Sequence, residues 1–448
     1  MSKYFKLSKY LTPIFETPDG TGSWFGYYNY DPLNYDQTKM LSHRTANDAQ
    51  VIRQGMNVEI GYYDVKTGVW NKVDESDSYN WPQGSMLQWI PGAGNENKLI
   101  FNLSKDNRLI SRIHDIRNGE SKDINWPIYG LTPDGKKSIS IDLERSHFTI
   151  AYHYESVVNQ EKNQRIAPGD GIFEIDLELN TKKCIISITD IISVDFEPYF
   201  DNCRHWLEHV MVSPSGKRFC FLHRFSPMGN DNVRITRLCV ADIDGSNLQV
   251  IDNWRNFAWS HFGWNSDDTF SIYTYEKKVK PSDMTIHPIV NHTDTAIPAQ
   301  NNSIKTILAN LIPVSLKDKV RILLRGQKSY YQYYELKGNR FCLKQSWRKF
   351  EFSIDGHQNF THDCKYMIAD SYPDGNCYQH LMIYNVENGK LLTIAKIYAG
   401  LHRKPGTCDL HPKLCRNNNL LMVDSAYNGK HHILLFELDW KRITNKLK

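Results

Sequence analysis

The strongest constraint on this chain is a unit that recurs seven times: a short apolar, aromatic strand that runs into an acidic or amide residue and then a turn. Its versions are "GYYDVKTGVW", "RIHDIRNGES", "FEIDLELNTK", "CVADIDGSNL", "YYELKGNRFC", "MIYNVENGKL" and "LLFELDWKRI". The anchors are Asp64, Asp115, Asp176, Asp242, Glu335, Asn385 and Glu437. Most intervals are roughly 50 to 66 residues and one is about 93, a period that suits propeller blades. A second unit, a turn followed by a strand, precedes the first in most repeats: "TPDGKKSISI", "SPSGKRFCFL", "NSDDTFSIYT", "THDCKYMIAD" and "CRNNNLLMVD". Pro, Asp, Asn and Gly favour tight turns, and the alternating strand after them completes a hairpin. The prediction is an all-β fold, a single seven-bladed β-propeller over residues 1–448. Separate β-sandwiches would not give such even internal similarity. The long interval holds an insertion near residues 277–326, where "NSIKTILANLIPVSLKDKVRILL" mixes helical and strand signals around Pro313. Insertions in repeat proteins map to loops on one face, so this segment reads as a lid or as a decorated loop.

The remaining bulk properties exclude more than they assign. A net charge of +4 is spread without long basic runs, which argues against nucleic-acid binding. No stretch is long and apolar enough to span a bilayer, and the start, "MSKYFKLSKYLTPIFETPDG", lacks the apolar core of a signal peptide. Nine cysteines form no CxxC pair, so neither a disulfide framework nor a zinc ribbon is indicated, and a reduced, cytoplasmic protein is the expectation. Closure of a propeller needs no second chain, so a monomer is expected. The 25 Tyr and 11 Trp suit strands and also stacking on sugar rings.

Four histidines share one register. His209 lies four residues before Ser213, His261 four before Asn265, His357 four before Thr361 and His411 four before Cys415. Each therefore stands at the same place before the hairpin turn of consecutive blades. The strand leading into that hairpin is normally nearest the propeller axis, so the four imidazoles should converge in one funnel. Clustered imidazoles make a natural metal or acid–base site. Simple propagation of a packing histidine is disfavoured, because Ile128 holds the equivalent place before "TPDGKK". Cys408 and Asp409 precede His411, and Asp409 with His411 forms an i, i+2 pair able to chelate one ion. "FLHRF" puts His223 and Arg224 at the end of the next strand, and "SHR" puts His43 and Arg44 similarly in the first blade. An Arg beside such a cluster suggests an anionic ligand, most simply a carboxylate, or else a surface ion pair. Trp81, Gln83, Gln88 and Trp89 in "YNWPQGSMLQW" read as propeller packing or as sugar-stacking groups.

The segments "EHVMVSPSGKRFCFLHR", "SHFGW", "DGHQNF", "ADSYPDG" and "CDLHPKL…VDSAYNGKHHI" resemble the seven-bladed propeller polysaccharide lyases, the oligogalacturonate lyases and their ulvan-lyase relatives. The resemblance covers most of the chain and is most specific at the histidines. It implies β-elimination on acidic oligosaccharides, with a divalent ion in the funnel: manganese first, zinc or calcium as alternatives. The proton on C5 of a uronate is hard to remove beside the carboxylate's charge. A metal or Arg must neutralise that charge, and a neutral His then serves as base. Carried over, the resemblance makes His209 the catalytic histidine, Arg224 the carboxylate clamp, and His357 a ligand or second acid–base group. His261 and His411 match metal-ligand positions. Asp409 stands where the oligogalacturonate branch has the first His of a His-Pro-His pair, a tolerable exchange that leaves the metal's identity open, and Cys408 would either make the site softer and more zinc-like or face away from it. His43, Arg44, Trp81, Gln83, His223 and Tyr372 of "ADSYPDG" are the expected substrate-binding groups. The competing reading is a non-catalytic propeller that binds a glycan or a protein around a structural metal. An accessory domain of a peptidase is disfavoured, because no GxSxG elbow is present.

Overall fold

A computed structural model describes residues 4–448 except 49, 151, 231–232, 278, 280–328, 348–353, 402–405 and 416. Seven antiparallel sheets are arranged as the blades of a β-propeller. Within blades 1 to 5 the strands run in sequence order from the inside outwards. Blade 4 is the fullest case: Cys203–Val212, Arg218–Pro227, Ile235–Asp242 and Gln249–Val250. The anchors of the repeat close the third strand of each blade, where a turn must follow. Asp64, for example, accepts from the backbone N–H and the hydroxyl of Thr67, both at 2.8 Å, and so fixes the bend. The insertion near 277–326 lies outside the described residues apart from Lys277 and Val279.

The ring is closed by the start of the chain. Leu11–Glu16 is the outermost strand of blade 7, paired antiparallel with His432–Leu438, and Phe5–Leu7 adds a fifth strand to blade 6. Buried apolar residues fill the spaces between blades, for instance Ile100, Ile139, Ile172 and Phe221 in the largest cluster. Packing between neighbouring sheets therefore supplies most of the burial, as repeat architectures require.

Where the register predicts the four histidines, the innermost strands are irregular. In blade 4 the ladder pairs Glu208 with Leu222 and resumes at Met211 with Cys220, so His209 and Val210 oppose Phe221 alone. Blade 5 repeats the device: Ser260 and His261 are skipped between Trp259 and Phe262. Such two-against-one bulges turn a side chain out of the regular alternation. His209 and His411 also adopt left-handed backbone, with φ of 55° and 45°. His357 and His411 stand just before the short inner strands Gln358–Phe360 and Lys413–Leu414.

The axis is occupied. Residues 25–33 leave the first strand of blade 1 and reach across the funnel floor. Asp424 accepts from the N–H groups of Phe25 (2.8 Å) and Gly26 (3.1 Å). The Tyr28 hydroxyl donates to Phe262 O in blade 5 at 2.6 Å, and Tyr30 donates to Tyr129 O at 2.9 Å. Asp424 is itself held by the fully buried Lys413 at 2.9 Å. This crossing segment ties blades 3, 5 and 7 together and is the floor on which the site is built.

Candidate functional site

Three imidazoles gather on that floor with the same proton inventory. His411 donates from Nδ1 to Gly26 O (2.9 Å), an oxygen of the crossing segment. The Nδ1 of His357 lies 3.1 Å from both carboxylate oxygens of Asp370, which also accepts the His357 and His411 backbone N–H groups. His261 uses Nδ1 on Asp355 (3.2 Å) and on the Ser260 hydroxyl (3.1 Å). Fixing Nδ1 as the donor leaves Nε2 as a bare acceptor, the arrangement that metal-binding histidines show.

The Nε2 atoms of His357 and His411 are 3.2 Å apart. Two lone pairs at that distance repel unless a proton or a cation satisfies both. Burial works against a charge on His357, yet Asp370 beside it raises its pKa above the ordinary value. Burial and His357 hold His411 well below its ordinary range. His261 is lowered by burial and by His357, with which its ring is in contact at 4.1 Å between centroids. Ligand atoms of His357, Asp409 and His411 lie within 4.8 Å of one another. Burial pushes Asp409 up to about 6, against the pull of His357. A divalent cation fits these residues: it would satisfy both bare nitrogens and the carboxylate at once.

Beside this group stands His209. Its Nδ1 is 2.5 Å from the Tyr27 hydroxyl and its Nε2 is 2.7 Å from the Tyr152 hydroxyl. Burial first, then the Arg224 charge and His261, keep its pKa well below the ordinary value, so the ring is neutral. Glu208, almost fully buried, accepts from Arg224 (2.6 Å), from Trp206 Nε1 (2.6 Å) and from Tyr152 (2.8 Å). Tyr27 is buried beneath the ring and Tyr152 is only half-buried. The path from His209 to the funnel therefore runs through the Tyr152 hydroxyl.

No protein-family model and no curated protein sequence matches this chain. Solved structures do. An oligogalacturonate lyase in complex with manganese superposes with a TM-score of 0.61, covering 98% of this chain and 96% of its own, at 14% identity. An oligogalacturonate lyase from Vibrio parahaemolyticus gives 0.58, covering 97% and 96%, at 13% identity. The chain has the oligogalacturonate lyase fold.

Within that lyase fold the expected residues divide by position. His209 and Arg224 meet through Glu208, and His261, His357, Asp409 and His411 meet through their rings and ligand atoms. The Tyr372 ring lies 6.0 Å from those of His261 and His357. Gln83 donates to the Tyr129 hydroxyl at 3.0 Å and lines a cavity behind Tyr152. Cys408 stays outside the ligand group, its Sγ directed to Asp409 O at 3.5 Å, and burial raises its thiol well above the ordinary value.

The other expected binding groups are not brought to the funnel. His43 is fully buried, stacked on Trp24, with Nε2 2.8 Å from the Ser85 hydroxyl. Burial lowers it to about 4, and a Cβ on Gly84, whose φ is +61°, would collide with its ring. Arg44 lies half-exposed beside Glu59, over the Trp70 ring. Trp81 stacks on His431 at 4.8 Å and donates to Gln50 O. His223 faces the opposite side of its strand from Arg224 and hydrogen-bonds His205 at 3.0 Å, deep in blade 4. His43, Trp81 and His223 are packed among neighbouring side chains, and Arg44 is in a surface ion pair.

Six residues with roles here carried no signal strong enough to single them out in the sequence: Tyr27, Tyr28, Tyr152, Glu208, Asp355 and Asp370. Glu208 adjoins His209 and its carboxylate type was visible in "EHV". The two floor tyrosines and Tyr152 come from loops of other blades, and no spacing relates them to the histidines.

Proposed function

We propose that this protein is a carbon–oxygen lyase that cleaves uronate-containing oligosaccharides by β-elimination in the propeller funnel, with a divalent cation bound among its histidines. The observation that carries the reading is the pairing of two groups within one ring-contact distance. One is a set of bare Nε2 atoms with a carboxylate, and the other is a neutral, buried imidazole with a hydroxyl outlet; the His209 and His261 centroids are 6.0 Å apart.

His261, His357, His411 and Asp409 would hold the cation. Three imidazoles and one carboxylate suit manganese or zinc better than calcium, which prefers an all-oxygen shell. When bound, the cation supplies Lewis-acid neutralisation of the uronate carboxylate, which makes the C5 proton acidic enough to leave. Arg224, its charge paired with Glu208, keeps a buried Nε with no hydrogen-bond partner among the described residues, a donor that a substrate carboxylate would use. The proton from C5 passes to the Tyr152 oxygen as the Tyr152 hydroxyl, turned from Glu208, gives its own proton to His209 Nε2, the ring then carrying its other proton on Nδ1 toward the Tyr27 oxygen. Burial and Glu208 hold Tyr152 well above its ordinary pKa, so it relays a proton while remaining protonated at rest. Tyr372, beside the ligand histidines and likewise raised by burial and by Asp409, would protonate the leaving oxygen.

The test is the ultraviolet absorbance of the unsaturated uronate product, followed over a panel of uronate oligosaccharides with and without added manganese or zinc. The expected result is a chelator-sensitive rise that His209→Ala and Tyr152→Phe both abolish. Binding of cation and glycan with no rise across the panel would sink the lyase reading in favour of a binding propeller.

A further inference from the structure

A second histidine cluster lies outside the funnel set, on the segment between the second and third strands of blade 3. His147, His153 and Glu155 bring one ligand atom each within 4.8 Å of one another, and all three are half-buried. His153 Nδ1 is 2.6 Å from Ile150 O and so carries the proton, while His153 Nε2 lies 3.0 Å from the Glu155 carboxylate. In the neutral ring those last two atoms are both acceptors facing each other. His147, its ring 4.6 Å from that of His153, has a buried Nδ1 with no hydrogen-bond partner among the described residues. A cation placed among the three side chains would satisfy the facing acceptors of His153 and Glu155.

We propose that His147, His153 and Glu155 form a second divalent-cation site of zinc-like preference, which braces the segment that delivers Tyr152 to His209. Two imidazoles and one carboxylate are a zinc-type donor set with room for a further ligand. The backbone beneath is already anchored, as a preformed site needs. His147 caps the short helix Leu143–Ser146, Arg145 donates to His205 O at 3.0 Å in blade 4, and Arg204 donates to Phe148 O at 3.1 Å. The two guanidinium charges lie on the backbone side of the turn, bound to carbonyl oxygens. Tyr152 sits next to His153, and both line the cavity that also holds Glu208. A cation here would act as a positioning device for Tyr152 and would not touch the reacting atoms.

The experiment is a zinc titration of the chelator-treated full chain by calorimetry, with bound metal counted by elemental analysis, for wild type, His147→Ala, Glu155→Gln and His411→Ala. The proposal expects His147→Ala and Glu155→Gln each to lose one equivalent relative to wild type, and His411→Ala to keep that equivalent. Hydrogen exchange over residues 147–155 should slow on adding zinc to wild type and to His411→Ala, and should not slow in the other two. A wild type whose every bound equivalent survives both His147→Ala and Glu155→Gln overturns the proposal. The half-exposed Glu155→Gln keeps the test valid should His147→Ala fold poorly. Loss of the funnel equivalent alone, in wild type, would count against the lyase reading and leave this site standing.

Discussion

At the scale of single residues, protons decide what this site can hold. His357 and His411 turn Nε2 atoms on each other at 3.2 Å, and Asp370 raises the pKa of His357, so either a proton or a cation between the rings relieves the contact. Asp409 sits at about 6. A cation must displace both protons, so its affinity should climb as pH rises from about 5.5 to 8 and binding should release protons. Calorimetry in two buffers of different ionisation enthalpy measures that release directly. Glu208 is the counter-case, a buried carboxylate whose removal leaves Arg224 charged and unpaired. Glu208→Ala should therefore destabilise the fold by about 3–5 kcal/mol in denaturant unfolding. Removing His209 should lower turnover by about 10²–10⁴-fold, the usual share of a general base, and, because it leaves the buried Tyr27 hydroxyl without its partner, should also cost about 1–3 kcal/mol of stability.

Asp170 gives a stability signature that can be read without any substrate. It is almost fully buried; burial and the neighbouring Asp142 raise its carboxyl to about 7. A folded-state value above the unfolded one means the native protein binds the proton more tightly. Stability from this group is present at low pH and is lost as pH rises from about 4 to 7. Relative to wild type, Asp170→Asn should gain stability across that window, by up to about 4 kcal/mol at pH 8. Thermal unfolding of the two proteins over pH 4 to 8 provides the comparison, and a constant difference would contradict it.

At the scale of elements, the bulges at His209 and His261 are the devices that turn blade strands into a site. A regular strand would send these side chains into the packing between blades, where His43 and His223 went. Blade 6 uses a close approach instead: a Cβ on Gly356 would strike the Asp370 carbonyl, the very residue that anchors His357 and His411. Gly356→Ala should push the Asp355–His357 segment off blade 6 and weaken cation binding at least tenfold by calorimetry. The stability cost of the displaced strand should be about 1–3 kcal/mol. The axis-crossing segment 25–33 acts at the same scale, since Gly26 O fixes the tautomer of His411 from a blade on the far side of the ring seam.

At the scale of the whole molecule, closure of the ring brings blades 4 to 7 around one floor. The first strands of the chain complete blades 6 and 7, so deleting residues 1–16 should leave the edges of His432–Leu438 and Leu391–Tyr398 unpaired. The truncated chain should lose cooperative unfolding and aggregate, which light scattering during heating would reveal.

Period and turn chemistry alone were enough for the sevenfold repeat and the propeller, because each blade's strands are written locally as alternating apolar runs ended by Asp, Asn and Gly. The same local register was enough to align His209, His261, His357 and His411, since equal positions on inner strands must converge once the ring closes. What the sequence could not carry was which polar atoms lie behind those histidines. Asp355, Tyr152 and Tyr27 act across blades, Asp370 reaches His411 across to blade 7 as well as His357 in its own blade, and Glu208 meets Arg224 from the neighbouring strand; only the tertiary fold decides such contacts. Nor could it separate Arg224, turned to the funnel, from His223 beside it. A β-strand sends neighbouring side chains to opposite faces, and which face meets the axis is settled by closure of the ring.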